Sequence, residues 1–147
     1  MLIREVKKSD LDGLQDLYLY LHESEKLAET PELDSLWNKI VADENYHILI
    51  GEIEGKIISS VTVIVIKNLT RGRRPYALIE NVVTHKDYRC RGYAQAIMQR
   101  AIEIAEGRGC YKIMLLTGAK DESIMKFYEK CGFNSNDKTA FIKWIEV

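Results

Sequence analysis

The residues from 89 to 94, Arg-Cys-Arg-Gly-Tyr-Ala, have the composition of an anion-binding loop. They follow a Val-rich stretch that ends at Thr84, and a predicted helix comes directly after them. A helix N-terminus presents unpaired backbone N–H groups and positive partial charge, and this combination binds anions. Gly92 lets an anion approach the backbone, while Arg89 and Arg91 add positive charge. The pattern predicts a pyrophosphate site, and it is not a Walker loop because no Gly-Lys-Ser/Thr follows.

A single carboxylate stands in the strand predicted just before this loop. Strand alternation puts Tyr76, Leu78 and Glu80 on one face, and a carboxylate in an otherwise apolar strand is unusual. A carboxylate so placed is a candidate general base. Two alternatives stay open at this point: Glu80 pairs with a neighbouring Lys or Arg, or it only orients a substrate.

Hydrophobic periodicity predicts the elements that must position these residues. Strands are expected over 2–6, 46–52, 56–67, 76–84, 111–116 and 139–145, and helices from 9, from 31, over 95–106 and over 121–130. Three consecutive strands with short turns predict an antiparallel meander, and the later strand-helix-strand unit predicts a parallel crossover. We therefore expect an α/β chain of the α+β type. Its sheet is mixed and mostly antiparallel, with about four flanking helices, and the meander excludes a doubly wound Rossmann sheet.

Two segments of the chain match motifs of one known family. The first is Ile-Glu-Asn-Val-Val-Thr-His-Lys-Asp-Tyr-Arg-Cys-Arg-Gly-Tyr-Ala over 79–94, and the second is Phe-Tyr-Glu-Lys-Cys-Gly-Phe over 127–133. Both resemble signatures of the GNAT superfamily of acyl-CoA-dependent N-acyltransferases, and the element order agrees across essentially the whole chain. The resemblance implies acetyl-CoA as co-substrate. No metal is expected, because His22, His47 and His85 show no ligand spacing with the three cysteines. The resemblance also implies a sheet that is splayed into a V between its fourth and fifth strands.

The resemblance implies which residues contact CoA. They are Val82, Val83, Thr84, Arg89, Cys90, Arg91, Gly92, Tyr93 and Ala94. The amides of the last four would bind the pyrophosphate, and the strand residues would line the pantetheine arm and pair with it like an added strand. An N–H of this strand would polarise the thioester carbonyl. Ala94 stands where Gly is more usual, and Asp121 stands where the family often has Asn, so no CoA contact is carried over to Asp121.

The same resemblance favours two catalytic residues. A primary amine has a pKa of about 10, so a base must remove its proton, directly or through water. Glu80 is the expected base, since many family members carry an acid at this position. Tyr128 is the expected acid for the departing CoA thiolate, with a buried core tyrosine as the alternative. His85 titrates near neutrality, but it is expected to be solvated or close to the phosphates.

Composition limits the remaining function classes. The 147 residues fit one domain, expected over 1–147, and Lys plus Arg (21) nearly balance Asp plus Glu (22). Net charge therefore gives no reason to expect nucleic acid or a membrane surface as partner. Cys90, Cys110 and Cys131 form no CxxC pair, which is typical of reduced thiols in a cytoplasmic protein. The chain shows neither a secretory segment nor a membrane-spanning one.

Two loops are candidates for the acceptor pocket. The acid-rich connection over 22–30 suits a cationic amine, and the loop with Arg71, Arg73 and Arg74 suits an anionic group, although both also fit a solvated surface.

The function expected is transfer of acetyl from acetyl-CoA to the primary amine of a small molecule. Acetylation of protein lysines or N-termini, and a non-catalytic acyl-CoA sensor, stay as alternatives. Phe141 and Trp144 in the last predicted strand would also allow a homodimer.

Overall fold

The computed structural model describes residues 1–21 and 24–145. Within them, five strands and four α-helices follow the predicted order. They are β1 (Leu2–Glu5), α1 (Leu11–Tyr18), α2 (Pro31–Ala42), β2 (Tyr46–Ile53), β3 (Lys56–Ile66), β4 (Tyr76–Thr84), α3 (Tyr93–Gly107), β5 (Ile113–Leu115) and α4 (Glu122–Lys130). His22 and Glu23, which belong to the acid-rich connection, lie outside the described residues.

The chain divides into two compact units. Met1–Leu115 holds all five strands with α1, α2 and α3, and Leu116–Val147 holds α4. The single domain expected over 1–147 stays a prediction. The candidate pyrophosphate loop and Glu80 both belong to the first unit, whereas Tyr128 belongs to the second.

The sheet of the first unit confirms the expected mixed topology. Its strand order is β1-β2-β3-β4-β5, with three antiparallel pairings and one parallel pairing between β4 and β5. The antiparallel hairpin between β2 and β3 turns at Glu54 and Gly55, whose φ angles of 50° and 79° suit a tight two-residue turn. β5 pairs with β4 only from Ala77 to Ile79, so the second half of β4 runs on beyond this pairing.

Helices cover both faces of this sheet. On one face, Leu14 of α1 and Trp37 of α2 pack against Ile48 and Ile50 of β2. On the other face, α3 packs against β2, β3 and β4. The residues of α3 that are buried there are Ile97, Met98, Ala101 and Ala105. Because side chains alternate along a strand, each position of β3 and β4 is assigned to one of these two layers.

The expected start of the second helix is confirmed in detail. The Thr30 hydroxyl accepts a hydrogen bond from the Leu33 N–H at 3.2 Å, and Pro31 occupies the first helical position. A hydroxyl at this position pairs one of the open N–H groups, and proline loses nothing there because its missing N–H would have had no partner. The cap therefore fixes where α2 begins to cover the sheet.

One expected strand and several expected bounds are wrong. α1 begins at Leu11 rather than at residue 9, and β5 covers Ile113–Leu115 rather than 111–116. α3 begins at Tyr93 rather than Gln95, two residues closer to the loop. The strand expected over Thr139–Ile145 does not form, and no described residue pairs with it in a ladder. Phe141 and Trp144 are 92% and 84% exposed. Alternation of apolar residues describes a segment by itself, but a strand also needs a partner for its backbone.

No helix in the described part of the chain is both long enough and apolar enough to cross a bilayer.

Candidate active site

The loop between β4 and α3 forms an open helix N-terminus. β4 ends at Thr84, and Gly92 is the residue that precedes α3, with φ at 80°. Gly92 has no side-chain oxygen, so no side chain caps the helix, and the first helical bond runs from the Ala96 N–H to the Gly92 carbonyl at 3.0 Å. Cys90 also has positive φ, at 59°. This backbone leaves the N–H groups of Gly92, Tyr93, Ala94 and Gln95 without helical acceptors.

Gln95 is the residue that the sequence analysis missed here. The resemblance placed the CoA amides at Arg91, Gly92, Tyr93 and Ala94, and Gln95 was not among them. With the helix beginning at Tyr93, the Gln95 N–H belongs to its first turn. The sequence did not show that the helix begins at Tyr93, because Tyr93 and Ala94 are compatible with both a loop and a helix.

Two arginines add positive charge beside this N-terminus. Arg89 donates from Nε to the Thr84 carbonyl at 3.0 Å, which ties the loop back to the end of β4. The Arg91 guanidinium lies over the Tyr88 ring, 5.7 Å from its centroid. Both arginines remain exposed, so these contacts orient their charge without removing it from an anion.

β4 contains a bulge directly after Glu80. In the register between β3 and β4, Thr62 lies opposite Glu80, but Ser60 lies opposite Val83. Asn81 and Val82 therefore both face Val61, and Asn81 takes a φ of 51°. An extra residue in one strand exchanges the two faces beyond it. As a result Glu80 and Val83 both face the α1 side of the sheet.

Glu80 lies half-buried on that face, as strand alternation predicted. Tyr46 of β2 is close to it, and both burial and the Glu80 charge raise the pKa of Tyr46. Among the described residues no Lys, Arg or His forms an ion pair with Glu80. The ion-pair alternative is therefore not realised in the part of the chain that the structure describes.

Three hydroxyls lie on the same face as Glu80. The side-chain oxygens of Tyr18, Ser60 and Thr62 are buried, and none has an aligned hydrogen-bond partner among the described residues. Burial raises the pKa of Tyr18, and its interactions with Thr62, Ser60 and Asn81 offset part of this shift. Sequence analysis missed this cluster because Tyr18 and Thr62 are distant in the chain.

The second half of β4 has mostly buried side chains and a backbone edge that β5 does not cover. Val83 and Thr84 are buried, and Val82 is half-buried. Ser59 donates to the Val83 carbonyl at 3.1 Å and lies 2.9 Å from the Thr84 hydroxyl, so both residues are held against β3. The edge of β4 beyond Ile79 is not paired with β5. A pantetheine arm added as a strand would meet this edge.

His85 is buried, so the expectation of a solvated side chain is wrong. It is 8% exposed, and its Nε2 lies 3.1 Å from both the Tyr20 hydroxyl and the Lys56 ammonium. Burial and the charge of Lys56 lower the pKa of His85. These side chains line part of a cavity of about 760 Å³ between α1 and the β2–β3 hairpin, and Glu80 is not among its lining residues.

Tyr128 lies on α4 in the second unit. Its ring centroid is 5.0 Å from that of Phe127 and 6.4 Å from that of Phe133. Asp121 caps this helix by accepting from the Ser123 N–H at 2.8 Å, and this hydrogen bond lowers the pKa of Asp121. The acidic residue at this position therefore has a local role in starting α4.

Two of the three arginines expected near the acceptor hold their loop in place. Arg74 donates to the carbonyls of Gly109 and Cys110 at 3.2 and 3.0 Å. The Arg71 guanidinium lies 5.8 Å from the centre of the Tyr111 ring. Arg73 is exposed.

In the other expected loop, which covers residues 22–30, Lys26 forms ion pairs with two aspartates of α1, Asp12 and Asp16, each at 2.7 Å.

Within the described ranges, no three His, Cys, Asp or Glu side chains gather in a way that could hold a metal ion. The three cysteines are free thiols.

Comparison with known proteins identifies the family of this chain. A family profile described as Acetyltransferase (GNAT) family matches residues 12–133, and the chain belongs to this family. A Trypanosoma brucei brucei protein named glucosamine 6-phosphate N-acetyltransferase is 30% identical over 142 residues, which cover 92% of this chain and 90% of that protein. The chain is thus an acyltransferase enzyme of the GNAT type.

Solved structures support the same assignment. A protein from Agrobacterium tumefaciens strain C58, whose own assignment as an acetyltransferase is provisional, is 39% identical with a TM-score of 0.89, covering 98% of this chain and 100% of that one. The glucosamine-6-phosphate N-acetyltransferase of Arabidopsis thaliana is 25% identical with a TM-score of 0.83, covering 99% and 98%. The family uses acetyl-CoA as co-substrate.

The conformation of Gly92 gives a test of the pyrophosphate loop. A valine at this φ of 80° is strained, although nothing within 4 Å would meet its Cβ. We expect Gly92→Val to distort the open amides and lower acetyl-CoA affinity at least about tenfold, or about 1.4 kcal/mol, while the fold is retained. Titration calorimetry with acetyl-CoA measures this.

Gly109→Val is the matched control for backbone strain. Gly109 has a φ of 70°, and its Cβ would likewise meet nothing within 4 Å, but it lies beyond the other end of α3. Its valine variant is expected to lose similar stability and keep its acetyl-CoA affinity. Equal affinities for Gly92→Val and the unaltered protein would remove the loop from the CoA site.

Proposed function

We propose that this chain moves an acetyl group from acetyl-CoA to the primary amine of a small molecule by direct attack, with Glu80 as base and Tyr128 as acid. The observation that best supports this proposal is the position of Glu80. It faces the α1 side of β4, without an ion pair among the described residues, and the same strand leads into the open N-terminus of α3. One strand thus connects a carboxylate with an anion site.

The proposed reaction has four changes in bonding. The amine nitrogen attacks the thioester carbonyl carbon, so a C–N bond forms and the C–S bond to CoA breaks. Glu80 takes the proton that the nitrogen loses, directly or through water. Tyr128 gives a proton to the thiolate of CoA. In our proposal, backbone N–H groups of Gly92, Tyr93, Ala94 and Gln95 hold the pyrophosphate, with Arg89, Cys90 and Arg91 beside them.

The acceptor is proposed to be a small, polar amine. Relatives named for glucosamine 6-phosphate support this class, since the first of them matches nearly the whole chain. Exposed Arg73 offers a cation to an acceptor that carries an anionic group. Acetylation of protein lysines or N-termini is the second candidate within the enzyme class. The cytoplasmic location and the homodimer through residues 139–145 stay part of the proposal, as does the absence of nucleic-acid and membrane partners.

An acceptor panel tests this function. We expect CoA thiol release from acetyl-CoA with glucosamine 6-phosphate or another small polar amine, and little release with lysine peptides or peptides with free N-termini. The Gly92→Val variant, assayed beside the unaltered protein, controls for hydrolysis unrelated to the CoA site. Turnover confined to peptides would favour the protein acetyltransferase. Acetyl-CoA binding without turnover on any acceptor would favour a sensor.

The base role of Glu80 predicts a specific pH behaviour. Glu80→Gln keeps the shape and removes basicity, so kcat at neutral pH should fall by about 10² to 10⁴. Activity should recover partly as pH rises, because more amine arrives deprotonated. A carboxylate that only anchors the ammonium would raise KM for the amine with little change in kcat. A pH series at saturating acetyl-CoA separates these two results. The control for loss of charge is Glu103→Gln, on the exposed face of α3.

The acid role of Tyr128 predicts a loss confined to catalysis. Tyr128→Phe keeps the ring contacts with Phe127 and Phe133 and deletes the hydroxyl. We expect kcat to fall on the order of 10²-fold while KM for acetyl-CoA barely changes. Tyr111→Phe, which deletes a hydroxyl in the first unit, is the control. Unchanged steady-state parameters in Tyr128→Phe would make this tyrosine a packing residue only.

A further inference from the structure

The three hydroxyls beside Glu80 are unusual in a protein interior. Ser60 and Thr62 are both fully buried, at 0% exposure, and the Tyr18 oxygen is buried with them. None of the three has an aligned partner among the described residues. Buried polar groups are almost always hydrogen-bonded, to protein or to an ordered water, because an unpaired one is destabilising. Tyr18 interacts with Ser60, Thr62 and Asn81 without an aligned hydrogen bond, so a shared polar partner would satisfy the three hydroxyls together.

The geometry brings these hydroxyls and Glu80 to one face of the sheet. Thr62 lies directly opposite Glu80 across β3 and β4, and Ser60 is two positions away on the same face. Directly opposite side chains have Cβ atoms about 4.5 to 5.5 Å apart, a separation that one bridging water can span. Tyr18 reaches this place from α1, which packs over both strands.

We infer that Tyr18, Ser60 and Thr62 hold a water molecule against the Glu80 carboxylate and that this water positions Glu80 as the base. The inference rests on the proposed role of Glu80. A water with two to four polar partners is a common constituent of protein interiors, and here the three hydroxyls and the carboxylate supply four.

The elements packed against this part of β4 contribute polar groups to this place. Of the elements packed against this part of β4, α1 contributes Tyr18, β3 contributes the two hydroxyls, and β5 is apolar throughout. Tyr46 of β2 is a further titratable group near Glu80. α3 lies on the opposite face. A hydrogen bond to the charged form of a carboxyl favours that form, so the water would keep Glu80 ionised and correctly oriented.

Tyr18→Phe tests this role through the acid side of the pH profile of kcat/KM. With one anchor of the water removed, ionisation of the base needs a higher pH. We expect the acid limb of kcat/KM to move to higher pH by about one pH unit. Ser60→Ala, which deletes a second anchor, should move it in the same direction. Tyr111→Phe is the control, because it deletes a tyrosine hydroxyl outside the cluster and should leave the limb in place.

Stability measurements separate a structural role from a positioning one. If the hydroxyls only fill space, Tyr18→Phe changes the midpoint of unfolding and leaves the acid limb where it was. If neither Tyr18→Phe nor Ser60→Ala moves the acid limb, the inference is wrong and the proposed function is unaffected.

The Glu80→Gln variant distinguishes this result from failure of the proposed function. An acid limb that persists at low pH in Glu80→Gln, apart from the rise at higher pH that comes from deprotonation of the amine, would refute the base role and the water inference together. Loss of the limb in Glu80→Gln, combined with an upward shift in Tyr18→Phe and Ser60→Ala, is the result expected if both are correct.

Discussion

The bulge at Asn81 and Val82 is the constraint on which the rest of the site depends. A regular β4 would place Val83 on the face opposite Glu80, because side chains alternate with a strict period of two. The extra residue instead keeps Glu80 and Val83 on the α1 face and turns the Thr84 side chain towards the other layer. The left-handed backbone conformation of Asn81 is about 1 to 3 kcal/mol higher in free energy than an ordinary strand conformation. The surrounding ladder, intact on both sides, holds it there.

The open start of α3 depends on the same strand. A helix N-terminus with Gly at the cap position, as at Gly92, loses only about a few tenths of a kcal/mol compared with one capped by Ser, Thr or Asp. Burial of Ile97, Met98 and Ala101 against the sheet offsets this, since each larger apolar side chain contributes about 1.5 to 3 kcal/mol. Packing, rather than the cap, therefore fixes α3 in place, and its first N–H groups remain available to an anion.

The sequence predicted what local patterns determine. The meander, the face of Glu80 and the start of α2 at Thr30 follow from periodicity and capping, and all three are seen in the structure. The environment of His85 could not be predicted this way, because Tyr20 is 65 residues away and Lys56 is 29 residues away. For the same reason the strand predicted over residues 139–145 was wrong, since alternation predicts a face but not a pairing partner.

Energetics limit how a carboxylate can serve this chemistry. An ordinary carboxylic acid has a pKa of about 4.3 and a primary ammonium about 10.4, so transfer between them in water is uphill by about 8 kcal/mol. A carboxylate thus cannot hold a large population of free amine before attack. An ammonium nitrogen has no lone pair, so one proton must leave before attack, and only a small fraction of free amine is present at any time. A second proton leaves as the C–N bond forms, when the nitrogen acquires positive charge next to a carbonyl carbon and becomes far more acidic. Orientation of the base at that moment then matters more than its basicity, and this is the property that a water fixed by Tyr18, Ser60 and Thr62 would supply.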